Sequence, residues 1–143
     1  MTYQDAFHRL GFTLLRFSFS FIFLWFGLLK LFNVSPLSDL IFLAYPFIAQ
    51  SHVLSLLLAV LEIAIGIGIF IPRISSAVLW IMIAHLLMAT AGVFHSPYAF
   101  NMGFPILSFM GEFVVKNLAL ISGALVLISH DAPLLKFNSE AKK

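Results

Sequence analysis

The sequence predicts an all-α integral membrane protein: a four-helix bundle with a short interfacial helix between spans one and two. Three observations lead there. Of 143 residues, 62% are hydrophobic and only 10% charged, where soluble domains carry roughly 25% charged residues. The mean hydropathy is +1.06. Four apolar segments, at about residues 11–32, 53–71, 74–94 and 108–129, each approach the roughly 20 residues that carry a helix across a hydrocarbon core. Barrel strands would instead alternate over about ten residues between polar turns.

Span one is too long for a signal peptide, carries Arg16 and Lys30, and is followed by no small-residue cleavage site, so it is read as retained. Arg16, Ser20, Phe23, Gly27 and Lys30 recur at steps of three and four, which puts them on one helical stripe. The connection "NVSPLSDLIFLAYPFIAQSH" opens a helix at Ser38-Asp39 whose apolar run is too short to span, which suits an interfacial segment. Span two shows the stripe Ser55, Ala59, Glu62, Gly66, and "IPRIS" then turns at Pro72 into span three as a tight antiparallel hairpin. Span three gives Met82, His85, Ala89, Gly92. The segment "HSPYAFNMGFPILS" is punctuated by Pro97, Gly103 and Pro105 and reads as irregular, and span four gives Glu112, Lys116, Ala119, Gly123. Small residues let backbones approach and charges avoid lipid, so the four stripes should face one another. Nothing marks a second domain, and the chain is taken as one domain over 1–143.

Four spans place both termini on one side, with Arg9, Arg16, Arg73, Lys136, Lys142 and Lys143 against Lys30 and Lys116 on the other. The positive-inside rule makes that side the cytoplasm. The net charge of +2 is scattered at span ends, which argues for orientation and against a nucleic-acid surface. Tyr3, Tyr45 and Tyr98 fall at predicted boundaries, as an aromatic belt requires. With no cysteine, the chain has no disulfide, redox pair or thiolate ligand of its own.

Glu62 and His85 fall near the midplane of their spans, Lys116 about 5 Å to the outer side, and Glu112 and Lys30 nearer the outer interface. A charge at that depth must be neutralised, paired or hydrated. The favoured pairing is Glu62 with Lys116, with Glu112 four residues before Lys116 sharing it. Such a group can be glue for the bundle, a ligand or proton site, or a partner interface. Lys30, near a helix end, can snorkel in a structural role, Arg16 is expected to do the same, and Trp25 and Trp80 to pack. Among the histidines only His85 lies deep, so a bis-histidine haem is not expected. His52 and His95 share the outer side and His8 and His130 the inner one, but no HExxH-type spacing announces a metal. With no P-loop, GxSxG or GxGxxG either, a self-contained enzyme is not expected.

Three stretches, "LLRFSFSFIFLWFGLLKLF" at 14–32, "LEIAIGIGIFIPR" at 61–73 and "FPILSFMGEFVVKNLALISGALVLI" at 104–128, resemble the DoxX-like superfamily of small four-helix bacterial membrane proteins, and within it the YkgB-like, reactive-chlorine-resistance branch. The matching features are Lys30 closing span one, the mid-span acid Glu62, and Phe104-Pro105 followed by Lys116-Asn117. The resemblance implies an accessory or redox-stress component, alone or beside other membrane or redox subunits, some relatives belonging to quinone-linked oxidoreductases. With it, the candidate ligand residues are Lys30, Glu62, His85, Glu112, Lys116 and Asn117, with a quinone headgroup as a plausible occupant and no metal. The alternatives are a small proton-coupled transporter using Glu62 and His85, and a structural subunit of a membrane complex.

Overall fold

The computed structural model describes residues 3–34, 45, 51–95, 106 and 108–140, with side chains at all of these except 95, 109, 110, 113 and 132–140. The expected interfacial helix after Ser38, the segment holding Pro97, Gly103 and Pro105, and the Phe104-Pro105 pair lie outside the described residues. Within them the chain is all helical, with no strand.

Helix α1 runs Tyr3–Leu31. It begins well before the expected span, because no proline interrupts residues 3–10 and Asp5 sits in the first turn, where a negative charge favours the helix N-terminus. It closes on a left-handed Asn33 (φ 55°), with Asn33 N–H donating to Lys30 O and Val34 N–H to Leu29 O, both at 3.0 Å. This is a Schellman stop in which asparagine tolerates the positive φ. Helix α2, His52–Gly68, starts at Ser51, whose hydroxyl accepts from Leu54 N–H at 3.3 Å. Pro72 lies in the turn between α2 and α3, Ser75–His95.

The expected fourth span is two helices, α4 at Phe109–Val115 and α5 at Asn117–Glu140, meeting at Lys116. Ser108 caps α4 by accepting from Gly111 N–H at 3.1 Å. At the junction Ala119 N–H reaches back only three residues, to Lys116 O (3.1 Å), the tightened turn that commonly marks a helix terminus. Asn117 heads α5 with its amide donating sideways to Thr90 Oγ1 of α3 at 3.2 Å.

Side-chain pairs fix the topology. Ser20 meets Gly66, Gly68 faces Val78, Thr90 meets Asn117 and Arg16 meets Asp131. Each pair couples one helix to an antiparallel neighbour, so α1, α2, α3 and the α4–α5 leg form an up-and-down ring, with α2 diagonal to α5. The most extensive packing is α1 on α2 and α3 on α5, while the hairpin partners α2 and α3 touch less.

The tight α1–α2 approach has a local cause. A Cβ on Gly27 would meet Ile63 Cγ1 at 2.8 Å and Ala59 O at 3.0 Å, and one on Gly66 would meet Leu24 Cγ at 2.7 Å. Ser20 donates to Gly66 O at 2.6 Å across the same seam. On α3, Gly92 accommodates the Tyr45 ring, whose hydroxyl donates to Met88 O at 2.6 Å. This ties the α1–α2 connection to the bundle. The core is apolar: Phe19, Phe23, Ile65, Ile69, Val78, Leu79, Met82, Ile83, Leu86, Ala124 and Leu127. By length and composition, Tyr3–Leu31 and Ser75–Phe94 suffice to cross a membrane, while His52–Gly68 and Asn117–Asp131 are shorter apolar helices.

Candidate functional site

Three charged or titratable side chains converge inside the ring. Lys30, near the end of α1, pairs with Glu62 Oε1 of α2, and His85 Nε2 of α3 lies 3.2 Å from the same oxygen. The side chains of Lys30 and Glu62 are each 6% exposed and that of His85 11%. Each arrives by a stripe of small residues. Gly27 and Ala59 bring α1 against α2 so that Lys30 reaches Glu62, and the α2–α3 hairpin sets His85 opposite. The Phe23 ring lies edge-on to His85, 6.0 Å between centroids. Neither Glu62 Oε2 nor His85 Nδ1, both buried, has a hydrogen-bond partner among the described residues.

The expected pairing of Glu62 with Lys116 is therefore corrected: the base on Glu62 is Lys30. Lys116 matched Glu62 in depth, but α5 is diagonal to α2, whereas α1 is its closest neighbour. Glu112 and Lys116 are both exposed. The stripe expected on the fourth leg is rotated with them. The described residues it buries are Gly111, Val114, Asn117, Ala124, Leu127 and Asp131, while Ala119 is exposed. Asn117 is buried as expected of a candidate, but it bonds Thr90.

A second polar cluster, near the chain-terminal end, was not expected. Arg16 does not snorkel. It donates to Asp131 Oδ1, to Ser75 Oγ at 2.8 Å and to Ile69 O at 3.2 Å. Ser75 in turn donates to Asp131 Oδ2 at 3.2 Å. One guanidinium thus joins α1 to the end of α2, the start of α3 and α5, using the several donors in fixed geometry that lysine lacks. The signal available in the sequence was Asp131, fourteen residues after Asn117 and so about four turns along the same face. Beside it, Phe12 packs on His130 (4.0 Å between centroids) and lies farther from His8 (6.3 Å). No group of three or more His, Asp or Glu able to hold a metal occurs among the described residues.

Chemically the two clusters differ. In the Arg16 cluster both Asp131 oxygens and the Ser75 hydroxyl are engaged, so it has the makings of a clamp. The Lys30–Glu62–His85 group leaves two buried polar atoms without a partner among the described residues, where an unsatisfied group costs about 1–3 kcal/mol. Comparison with protein-family models, curated proteins and solved structures gives no match.

Proposed function

We propose that this chain is a multi-pass, DoxX-like protein of the bacterial inner membrane, with both termini cytoplasmic, that holds a quinone-type headgroup at Lys30, Glu62 and His85 as an accessory component of redox-stress metabolism. The surface supports the membrane part. Phe17, Phe21, Trp25, Leu57, Trp80 and Leu87 are each more than half exposed on three helices, while Lys30, Glu62 and Asp131 are buried. Soluble monomers rarely expose apolar patches on that scale. In lipid, charges turned inward and bulky apolar groups turned outward are the low-energy arrangement.

The observation that carries the ligand is the pair of buried atoms, Glu62 Oε2 and His85 Nδ1, that have no partner among the described residues. Groups that served only to bind the helices together would be expected to satisfy one another, as those around Arg16 do. A ring bearing two oxygens matches a site with a few convergent polar groups in apolar walls. A proton relay linking the two clusters is less well supported, because Phe19, Phe23, Ile65, Leu79 and Met82 fill the core between them.

The test is equilibrium binding of short-chain ubiquinone and menaquinone to protein in nanodiscs. Saturable binding, weakened at least about tenfold by Glu62→Gln, is expected. Absence of saturable binding by any isoprenoid quinone or its quinol overturns the ligand reading. Co-purification after mild solubilisation then tests for a redox partner.

A further inference from the structure

The hydrogen-bond polarity of the triad fixes the kind of ligand group it can take, and this inference rests on the ligand reading above. Lys30 already matches the charge of Glu62. In its neutral form His85 has one N–H, and with Nε2 3.2 Å from a carboxylate oxygen that can only accept, the proton belongs on Nε2. Nδ1 then presents a lone pair. Glu62 Oε2, the far oxygen of the same carboxylate, is likewise an acceptor. Both unmet atoms are therefore acceptors, and both are buried.

We infer that the triad recognises a hydrogen-bond donor, specifically the dihydroxy, reduced form of the ring: a quinol hydroxyl donates to His85 Nδ1, whereas the quinone offers only carbonyl acceptors. A quinone at the same place would leave both protein acceptors unpaired, and sites built to hydrogen-bond a ligand hydroxyl discriminate strongly against analogues lacking it. The Phe23 ring beside His85 supplies an aromatic wall. The inference concerns binding alone, with no electron transfer.

Two measurements test it. In nanodiscs, short-chain ubiquinol is expected to bind at least about tenfold tighter than the matching ubiquinone or the quinol dimethyl ether, a difference of about 1.4 kcal/mol. His85→Gln keeps an N–H donor in reach of Glu62 but replaces the Nδ1 lone pair with an amide oxygen set elsewhere on the side chain, so it is expected to weaken that preference while the protein stays folded. Independently, 15N NMR of histidine-labelled protein, with His85 assigned by difference from His85→Gln, is expected to show Nε2 protonated and Nδ1 bare, the latter shifting when quinol is added. Equal or tighter binding of the quinone, a proton on Nδ1, or an undiminished preference in His85→Gln overturns the inference and leaves the ligand reading standing. Failure of quinone and quinol alike to bind overturns both.

Discussion

Lys30 is the residue on which the buried electrostatics turn. Deleting one partner of a buried ion pair costs about 3–5 kcal/mol, because the other charge is left unmatched. Glu62→Gln and Lys30→Met are each expected to lower stability in detergent by that order. The double variant should lose less than the sum, with a coupling of about 0.5–3 kcal/mol. Lys116→Met, at an exposed position, should stay within about 0.5 kcal/mol of wild type. Thermal or denaturant unfolding of wild type, these four variants and the Glu62→Gln/Lys116→Met double variant decides it, and a coupling found between Glu62 and Lys116 in place of Lys30 would refute the assignment. At this scale the sequence showed which residues were costly to bury but not which would meet. Depth along a helix follows from counting residues, while the partner depends on which helices are adjacent and which are diagonal.

Among the elements, the α1–α2 seam is set by backbone proximity. Gly27→Ala and Gly66→Ala would each force a methyl against a packed neighbour at under 3 Å, and a loss of about 1–3 kcal/mol is expected in each. Gly11 has nothing within 4 Å of where its Cβ would sit, so Gly11→Ala should be neutral or stabilising by up to about 1 kcal/mol through helix propensity. Unfolding midpoints of the three variants test whether close approach, or merely glycine in a helix, explains these positions. The stripes of α1, α2 and α3 were legible because small and polar residues there share a single face. The fourth was misread because Glu112 and Lys116 drew the stripe toward themselves. The buried face runs through Asn117, Ala124, Leu127 and Asp131, less conspicuous residues offset by one position.

For the molecule as a whole, the Arg16 cluster gathers four helices at one end and the Lys30 group joins three farther along α1. The two are fourteen residues apart on that helix, about 21 Å at 1.5 Å per residue. Asp131→Asn keeps the shape but removes the charge facing Arg16, and a loss of about 1.5–3 kcal/mol, that of a charged hydrogen bond, is expected from unfolding in detergent. Topology can be read directly, because the chain has no cysteine to interfere. Single cysteines placed at Tyr3 and at Lys143 should both label with an impermeant maleimide from the cytoplasmic side only. Labelling of either from the periplasm would overturn the proposed orientation. The helical class and the approximate positions of the helices were legible from apolar run lengths. The Lys116 break was not, since it depends on Asn117 turning toward Thr90.

Both tryptophans stand on the outside of the ring, Trp25 53% and Trp80 55% exposed, with Trp25 in a stacked row behind Phe21 and Phe17. Intrinsic emission from this protein therefore reports on the surrounding medium and is insensitive to the interior. Brominated acyl chains should quench it strongly. With Trp25→Phe, the remaining Trp80 becomes a single optical depth gauge about 7.5 Å along α3 from Ser75, one that requires no added label.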